Sequence, residues 1–104
     1  MKENFKPYYA VIFTSTQKEN IEGYHEMAER MDALAKQQDG FLGVDSAREN
    51  IGITISYWES LDAIKNWKQQ TEHLQAQLKG RQDWYSWYNV RLCKVEREYE
   101  FGNS

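Results

Sequence analysis

The residue best suited to proton transfer near neutral pH is His73. It lies one position off the apolar stripe of a predicted helix, beside Leu74 and two turns after Trp67. A partly buried imidazole in such a place can act as a base, as a haem ligand or as a hydrogen-bond donor. A histidine on the helix surface that is hydrogen-bonded to a neighbour is the alternative interpretation.

The second histidine, His25, lies in another predicted helix among Glu22, Glu26 and Glu29. Helical spacing could bring several of these groups to one face, which is the pattern of a weak metal site. No second histidine or cysteine completes a recognisable ligand set. We therefore expect a solvated acidic helix face and no metal.

Aromatic side chains are the strongest compositional signal, since Phe, Trp and Tyr make up 14% of the sequence. Packing in a core explains many of them, because aromatic residues dominate protein cores. The second interpretation is a pocket for a flat apolar ligand, in which Trp N–H and Tyr O–H groups orient a polar edge. The aromatic residues around the second predicted helix are Trp58, Trp67, Trp84, Tyr85, Trp87 and Tyr88.

Two arginines near this cluster, Arg81 and Arg91, could bind a carboxylate or a phenolate of such a ligand. Surface ion pairs are the alternative, because acidic residues lie nearby in the sequence at Asp83, Glu96 and Glu98. Cys93 lies in an alternating strand segment and is predicted to be a packed thiol without a catalytic role.

Composition and charge predict a single folded domain and argue against nucleic-acid binding and a membrane segment. The chain has 104 residues, 40% hydrophobic and 28% charged, which predicts a single folded domain over residues 1–104 with its core at about 8–101. A net charge of -3 opposes nucleic-acid binding, which requires a basic surface. We expect no membrane segment, because no apolar run is long enough, and the single cysteine suits a reducing cytoplasm.

Missing motifs exclude several functional classes. The glycine patterns of dinucleotide-binding and phosphate-binding loops are absent from the sequence, and so is the nucleophile elbow of serine hydrolases. The predicted strand at residues 51–58 contains no Lys or Arg, so it lacks the signature of an RNA-recognition motif.

Apolar periodicity predicts four strands and two helices. Asn20 is expected to cap the first helix and Gly40 to end it, while Ser60 is expected to cap the second. The predicted strands span residues 8–16, 41–47, 51–58 and 89–101. Helical spacing after the second helix predicts one or two further turns around three aromatic residues, Trp84, Trp87 and Tyr88.

Two features of the strands bear on which side chains share a face. A switch of apolar phase at Leu92 and Cys93 predicts a bulge or a bend in the last strand. Strict alternation in the second strand predicts that Phe41 and Val44 lie on opposite faces.

The predicted order β-α-β-β-α-β is that of the ferredoxin-like α+β plait, with a four-stranded antiparallel sheet. Two helices cover only one face of such a sheet. The first strand is nevertheless apolar on both faces, because Ala10 and Ile12 point one way while Val11 and Phe13 point the other. A second copy of the chain would cover the remaining face, so the sequence predicts a homodimer with facing sheets.

Three short motifs carry a family resemblance. The strand end YWES at residues 57–60 is followed by Ala63, Trp67 and Glu72-His73. The turn after the first helix has the sequence QDGFLG at residues 38–43, and Gly80-Arg81 precedes Trp84-Tyr85. With these motifs the chain resembles the antibiotic biosynthesis monooxygenase superfamily from about residue 9 to 101, above all its small stand-alone bacterial members.

The resemblance implies a dimeric α/β barrel with an aromatic-lined cavity in each plait. Characterised members oxidise polycyclic aromatic substrates with O2 and without flavin, metal or nicotinamide, because the deprotonated substrate itself reduces oxygen. Together with the aromatic cluster, the resemblance predicts His73 as the base or hydrogen-bonding group and Trp67 beside it in the catalytic cavity. The predicted substrate-binding residues are Trp58, Trp84, Tyr85 and, as partner of an anion, Arg91.

A related branch of the superfamily binds and degrades haem with an Asn on the first strand, a Trp on the second helix and a His later on that helix. Trp67 matches the Trp position. Gln77 occupies the His position and the first strand contains no Asn, so His73 could bind haem only with a different geometry. We therefore expect no cofactor, with haem as the alternative.

Three functional hypotheses follow from the sequence. The first is a cofactor-independent monooxygenase that binds a small flat aromatic or quinone-type molecule and oxidises it with O2. The second is a haem-binding or haem-degrading monooxygenase. The third is a non-catalytic dimer that binds a small ligand, which predicts stabilisation by that ligand without turnover.

Overall fold

The computed structural model describes residues 5–78 and 84–102, except for the side chains of residues 75–78. Four strands and two helices follow one another in the predicted order. The strands are β1 (Tyr8–Gln17), β2 (Phe41–Arg48), β3 (Gly52–Trp58) and β4 (Tyr85–Val95), and the helices are α1 (Tyr24–Lys36) and α2 (Leu61–Leu78).

The strands form one antiparallel sheet in the order β2-β3-β1-β4. Because β1 and β3 are central and each helix is a crossover between strands, this is the ferredoxin-like α+β plait, and the predicted fold class is confirmed. Both central strands are rich in β-branched and aromatic residues, which suit a pleated strand with neighbours on each side.

The strand register assigns each side chain to one of the two faces of the sheet. Residues directly opposite each other in antiparallel strands lie on the same face, and successive residues alternate. Trp58 pairs with Tyr9 and its ring contacts Trp67 of α2, so this face carries the helices. We call it the helix face, and we call the other face, which includes Tyr8 and Ala10, the open face.

Side chains near the helix ends fix where the helices begin. Ser60 Oγ accepts a hydrogen bond from the Ala63 N–H at 3.1 Å, which is the predicted cap of α2. Asn20 Oδ1 accepts one from the Glu22 N–H at 3.1 Å, but α1 begins only after Gly23, which has a φ of 85°. Neither α1 nor α2, over the residues described, is long and apolar enough to cross a membrane.

The prediction of further helical turns around three aromatic residues is confirmed for Trp84 and wrong for Trp87 and Tyr88. Trp84 has helical conformation, but Trp87 and Tyr88 belong to β4 and pair with β1. Aromatic side chains suit strands as well as helices, so pairing with a central strand outweighs their spacing. Gly80 and Arg81 lie outside the described residues.

The bulge predicted at Leu92 and Cys93 is also wrong, because β4 pairs with β1 without a shift through both residues. The register shifts instead between Thr16 and Gln17, near the start of β4. The apolar phase switches because β4 carries apolar side chains on both faces, with Leu92 on the helix face and Cys93 on the open face.

The predicted separation of Phe41 and Val44 fails for a different reason. Phe41 pairs with Trp58 while Gly43 pairs with Tyr57, so Leu42 is an extra residue in β2. An extra residue reverses the alternation of the faces, and Phe41 and Val44 therefore share the helix face.

Gly40 allows the first test of this packing. It joins α1 to β2 with a φ of +84°, and a Cβ on it would lie 2.7 Å from the Ala63 Cβ of α2. We predict that Gly40→Ala lowers the free energy of unfolding by more than about 1 kcal/mol, because the left-handed backbone alone costs an L residue about that much. Urea unfolding, followed by circular dichroism, measures the difference.

Gly102→Ala is the matched control for this prediction. Gly102 also has a positive φ, of 90°, but no atom lies within 4 Å of a Cβ built on it. We expect Gly102→Ala to leave the free energy of unfolding within about 0.5 kcal/mol of the wild-type value, because Gly102 lies in an exposed segment after the last strand, where the backbone can leave the left-handed conformation without losing a packing contact. Equal losses in the two variants would contradict the packing described for Gly40.

Candidate functional site

A first aromatic cluster lies on the helix face where β3 ends. Trp58 is fully buried, and its ring stacks on Trp67 of α2 with centroids 5.5 Å apart and planes at 30°. Phe41 meets Trp58 edge-on at 5.3 Å. Trp58 Nε1 donates a hydrogen bond to Ser56 Oγ at 2.9 Å, which satisfies its buried polar atom. This Trp58 cluster attaches α2 to the sheet and brings together two of the predicted site residues.

A second aromatic cluster lies at the opposite end of the helix face and attaches α1. Tyr24 of α1 meets Tyr85 and Trp84 edge-on, with ring centroids 6.0 Å and 6.1 Å apart. Trp84 is buried, and its Nε1 donates to a backbone carbonyl oxygen just before α1 at 2.8 Å. Phe13 stacks on Tyr88 at 5.4 Å and meets Tyr85 edge-on at 5.3 Å. We call these residues the Tyr85 cluster.

Between the two clusters, the middle of the helix face is open to solvent. Thr54 is exposed even though it lies on a central strand. On the same face Val44 is 39% exposed, Val90 54% and Leu92 53%. The helices therefore attach near the two ends of the strands and leave a cleft above the middle of the sheet. Trp58 lies beside Tyr9 of β1 and the Tyr85 cluster begins at Phe13, so about 13 Å of β1 separates the two clusters along the cleft.

The floor of the cleft combines apolar and hydroxyl side chains. The register places Ser46, Thr54 and Ser56 on the helix face, next to Val11 and Leu92 of the neighbouring strands. A hydroxyl can donate or accept a hydrogen bond, so it can orient either kind of polar atom on a ligand. A concave, mostly apolar surface with a few polar groups is typical of sites for small organic molecules.

Arg48 adds a positive charge to this floor that the sequence analysis did not single out. Its guanidinium extends across Gly52 and donates a hydrogen bond from Nη2 to Ser15 Oγ, on the central strand beyond. Ser15 is fully buried. A Cβ on Gly52 would collide with the guanidinium, so only glycine leaves room for this crossing. The signal in the sequence was a glycine inside a strand, which often marks the close approach of another group.

The predicted polar site residues lie apart from the aromatic ones. His73 is on the exposed side of α2. Arg91 is exposed and pairs with Ile12, which places it on the open face, away from the cleft. His25 is exposed on α1, and over residues 5–78 and 84–102 no three His, Cys, Asp or Glu side chains are placed to hold a metal ion.

The open face has a polar cluster of its own. Tyr57 Oη donates a hydrogen bond to Asp45 Oδ2 at 2.7 Å, and this bond, with burial as the second cause, raises the pKa of Tyr57 to about 12. Tyr8 meets Tyr57 edge-on at 6.0 Å. Burial, and then a hydrogen bond to Glu98, raises the pKa of Tyr8 as well. Both phenols are therefore neutral hydrogen-bond donors at physiological pH.

Apolar side chains surround that polar cluster on the open face. Ile53 is 43% exposed and Trp87 is 49% exposed. The half-buried apolar residues of the same face are Ile12, Ile55, Cys93 and Val95. Neither helix contributes to this face, because both attach to the other one.

The sequence model of the antibiotic biosynthesis monooxygenase family matches residues 7–79, which include β1, both helices and the floor of the cleft up to β3. This chain belongs to the antibiotic biosynthesis monooxygenase family. The uncharacterized protein YqjZ of Bacillus subtilis (strain 168) is 57% identical over 97 residues, which cover 91% of this chain and 85% of that protein.

Solved structures agree with the fold of the family. A mutant of SnoaB, a cofactor-independent oxygenase from Streptomyces nogalater, superposes with a TM-score of 0.72 at 16% identity, over 90% of this chain and 97% of that one. PA3566 from Pseudomonas aeruginosa superposes with a TM-score of 0.65 at 20% identity, over 88% and 95% of the two chains. At these identities the likeness concerns the fold alone.

Tyr57 provides a test of the open face. The pKa of Tyr57 in the folded chain, about 12, lies above the ordinary tyrosine value of about 10, so its hydrogen bond stabilises the fold fully below pH 10 and is lost as the pH rises through 12. We predict that Tyr57→Phe removes a phenol that ionises near pH 12 in an absorbance titration. Loss of a phenol that titrates near pH 10 would contradict the Tyr57–Asp45 hydrogen bond.

Proposed function

We propose that this chain binds a small flat aromatic or quinone-type molecule in the cleft and oxidises it with O2, without flavin or metal. The observation that carries the proposal is the solvent-open cleft on the helix face between the Trp58 cluster and the Tyr85 cluster. Its extent of about 13 Å accommodates a molecule of two or three fused rings. Membership of the antibiotic biosynthesis monooxygenase family supports the same class of reaction.

The proposed reaction converts an activated methylene group to a carbonyl group. A base removes a proton from the methylene carbon, and the resulting carbanion transfers one electron to O2. The two radicals combine to a peroxide anion, which takes up a proton to become a hydroperoxide. The hydroperoxide loses water, so that one substrate and one O2 give one ketone and one H2O. The protein would lower the barrier by orienting the ring in the cleft, where binding displaces water from the reacting carbon, and by stabilising the anion with hydrogen-bond donors.

We assign the base to His73 in this proposal. The neutral imidazole of a histidine has a free ring nitrogen that can accept the proton from the substrate and pass it on. His73 is on α2, the helix that also carries Trp67 of the Trp58 cluster, and its exposure allows exchange of the proton with solvent. The assignment requires the imidazole to reach the edge of the cleft.

An oxygen electrode with anthrone as substrate tests the proposed reaction. We expect the wild-type protein to accelerate O2 uptake, with one O2 consumed per anthrone and anthraquinone as product. His73→Ala should lower the rate by about 10²-fold or more, the usual contribution of a general base. His25→Ala is the matched control, because it removes an exposed histidine from α1 and should leave the rate unchanged. Uptake no faster than in buffer would contradict the proposal.

Thermal unfolding separates this proposal from binding without turnover. A ligand that binds only the folded chain raises the melting temperature whether or not it reacts. Stabilisation by anthraquinone without O2 uptake from anthrone would therefore support the non-catalytic hypothesis instead.

The residues present fit the haem alternative poorly. The ring of Trp67 is stacked on Trp58, and Gln77 stands where the haem-degrading branch has its histidine. β1 carries no Asn that could complete the residue set of the haem-degrading branch. We therefore derive no reaction through haem.

We also propose that two chains associate through their open faces. Ile53 and Trp87 leave large apolar surfaces exposed there, and burial of such surface is the main driving force for association. An isologous contact would also bring Tyr57 of each chain to the interface, where its hydroxyl is already hydrogen-bonded to Asp45 of the same chain.

A half-buried free thiol at Cys93 on this face supports a reducing, cytoplasmic location.

Light scattering during size-exclusion chromatography tests this association. We expect a mass near twice the 12.4 kDa of one chain. Ile53→Glu should give monomers, because it buries a charge in the proposed interface. Leu61→Glu is the matched control, since Leu61 is 51% exposed at the start of α2 and lies outside the open face. A monomeric wild-type protein would contradict the proposed association.

A further inference from the structure

We infer that Arg48 binds an acidic oxygen of the ligand, so that the cleft selects flat aromatic molecules that carry a carboxylate or a phenolate. This inference rests on the proposed function, since it assigns the substrate class of the same cleft. It begins from the position of Arg48, whose guanidinium crosses Gly52 to reach Ser15 on a central strand, at the end of the cleft that the Tyr85 cluster borders.

The charges on the helix face favour an anion. The residues that the register places on this face include Arg48 and Lys94 but no Asp or Glu. The whole chain carries a net charge of -3, so the positive floor is a local exception to its acidic composition. A positive surface between apolar clusters attracts a ligand of opposite charge and raises its local concentration.

The hydrogen bonds of Arg48 leave it capacity for a ligand. A guanidinium has five N–H donors in a fixed planar fork, and Ser15 accepts a hydrogen bond from only one of its nitrogens, Nη2. Over the part of the chain that the structure describes, the ion pairs join helix side chains and none involves Arg48. The bond to Ser15 holds the fork in place, which lowers the entropy cost of binding a carboxylate in a bidentate manner.

The position of the Tyr85 cluster fits the apolar part of such a ligand. Tyr88 pairs with Ser15, so Arg48, Gly52, Ser15 and Tyr88 form one row across four strands. Two strand spacings separate the backbone of Arg48 from that of Ser15, about 10 Å. A ring packed on Phe13 and Tyr88 would therefore direct an acidic oxygen along this row toward the guanidinium.

Isothermal titration with a matched pair of probes tests the inference. The probes are 2-naphthoate and 2-naphthamide, which have the same ring and similar shape but differ in charge. We expect the wild-type protein to bind the carboxylate at least about tenfold more tightly than the amide, as one charge-assisted hydrogen-bond pair allows. In Arg48→Gln the carboxylate and the amide should bind with about equal affinity, while the affinity for the amide stays within about twofold of the wild-type value.

A purely structural role for Arg48 would change the affinities for 2-naphthoate and 2-naphthamide alike. The ratio of these two affinities therefore distinguishes a structural role from a direct contact with the carboxylate. Arg30→Gln is the matched control, because Arg30 is an exposed arginine on α1 and its removal should leave the preference intact. A wild-type protein that binds neither probe, or that shows no preference for the carboxylate, would overturn the inference. An unchanged preference in Arg48→Gln would also overturn it.

Gly52→Ala gives a second test that keeps the charge of Arg48. The added methyl group collides with the guanidinium and must displace it from Ser15, so we expect the preference for the carboxylate to fall by about tenfold. If Arg48→Gln and Gly52→Ala do not fold by circular dichroism, Arg48→Lys keeps the charge without the planar fork, and its preference should be intermediate. An Arg48→Lys preference equal to that of wild type would overturn the assignment of a bidentate site.

Two further results are informative. One distinguishes a carboxylate ligand from a phenolate ligand, and the other distinguishes failure of this inference from failure of the proposed function. Binding of 2-naphthol that tightens as its hydroxyl ionises, and loses this pH dependence in Arg48→Gln, would assign the site to phenolates. Carboxylate-selective binding without O2 uptake would support this inference and remove the oxidation proposal. O2 uptake from anthrone together with no carboxylate preference would support oxidation and overturn this inference alone.

Discussion

The packing of Trp58 against Trp67 is the contact on which the arrangement of the helix layer depends. It buries a large aromatic side chain at the end of a central strand and fixes the start of α2 on the sheet. Gly40 brings the end of α1 against Ala63 beside it. Since α1 attaches at its other end through Tyr24, the helices are held at the two ends of the strands, and the middle of the sheet stays accessible. The cleft is thus a consequence of where the large aromatic residues lie.

The two faces of the sheet carry different chemistry because alternate residues of the same strands point in opposite directions. Helix-face positions hold hydroxyl groups and Arg48, whereas Asp45 and Tyr57 lie on the open face. A single strand such as β2 therefore contributes a cation to the proposed ligand site and a carboxylate to the proposed interface. Separation of these charges by the sheet keeps the acidic groups away from a bound anion.

Much of the fold could be predicted from the sequence, because periodicity and capping residues such as Ser60 are local signals. The predictions failed where pairing between distant segments decides the outcome. The spacing of Trp84 and Trp87 predicted a helix for both, but Trp87 belongs to β4 and pairs with β1. One extra residue in β2 places Val44 on the helix face. Arg48 was not predicted as a site residue for the same reason, because its position beside Ser15 depends on the register of three strands. Within the candidate site, the aromatic residues were found by composition alone.

A crystal structure of the chain with anthraquinone-2-carboxylate would test most directly whether the cleft is the ligand site. We predict electron density for the three rings on the helix face, between the Trp58 cluster and the Tyr85 cluster, with the carboxylate within hydrogen-bond distance of the Arg48 guanidinium. Density for the ligand on the open face, or a cleft filled by rearranged side chains with the ligand elsewhere, would contradict this assignment.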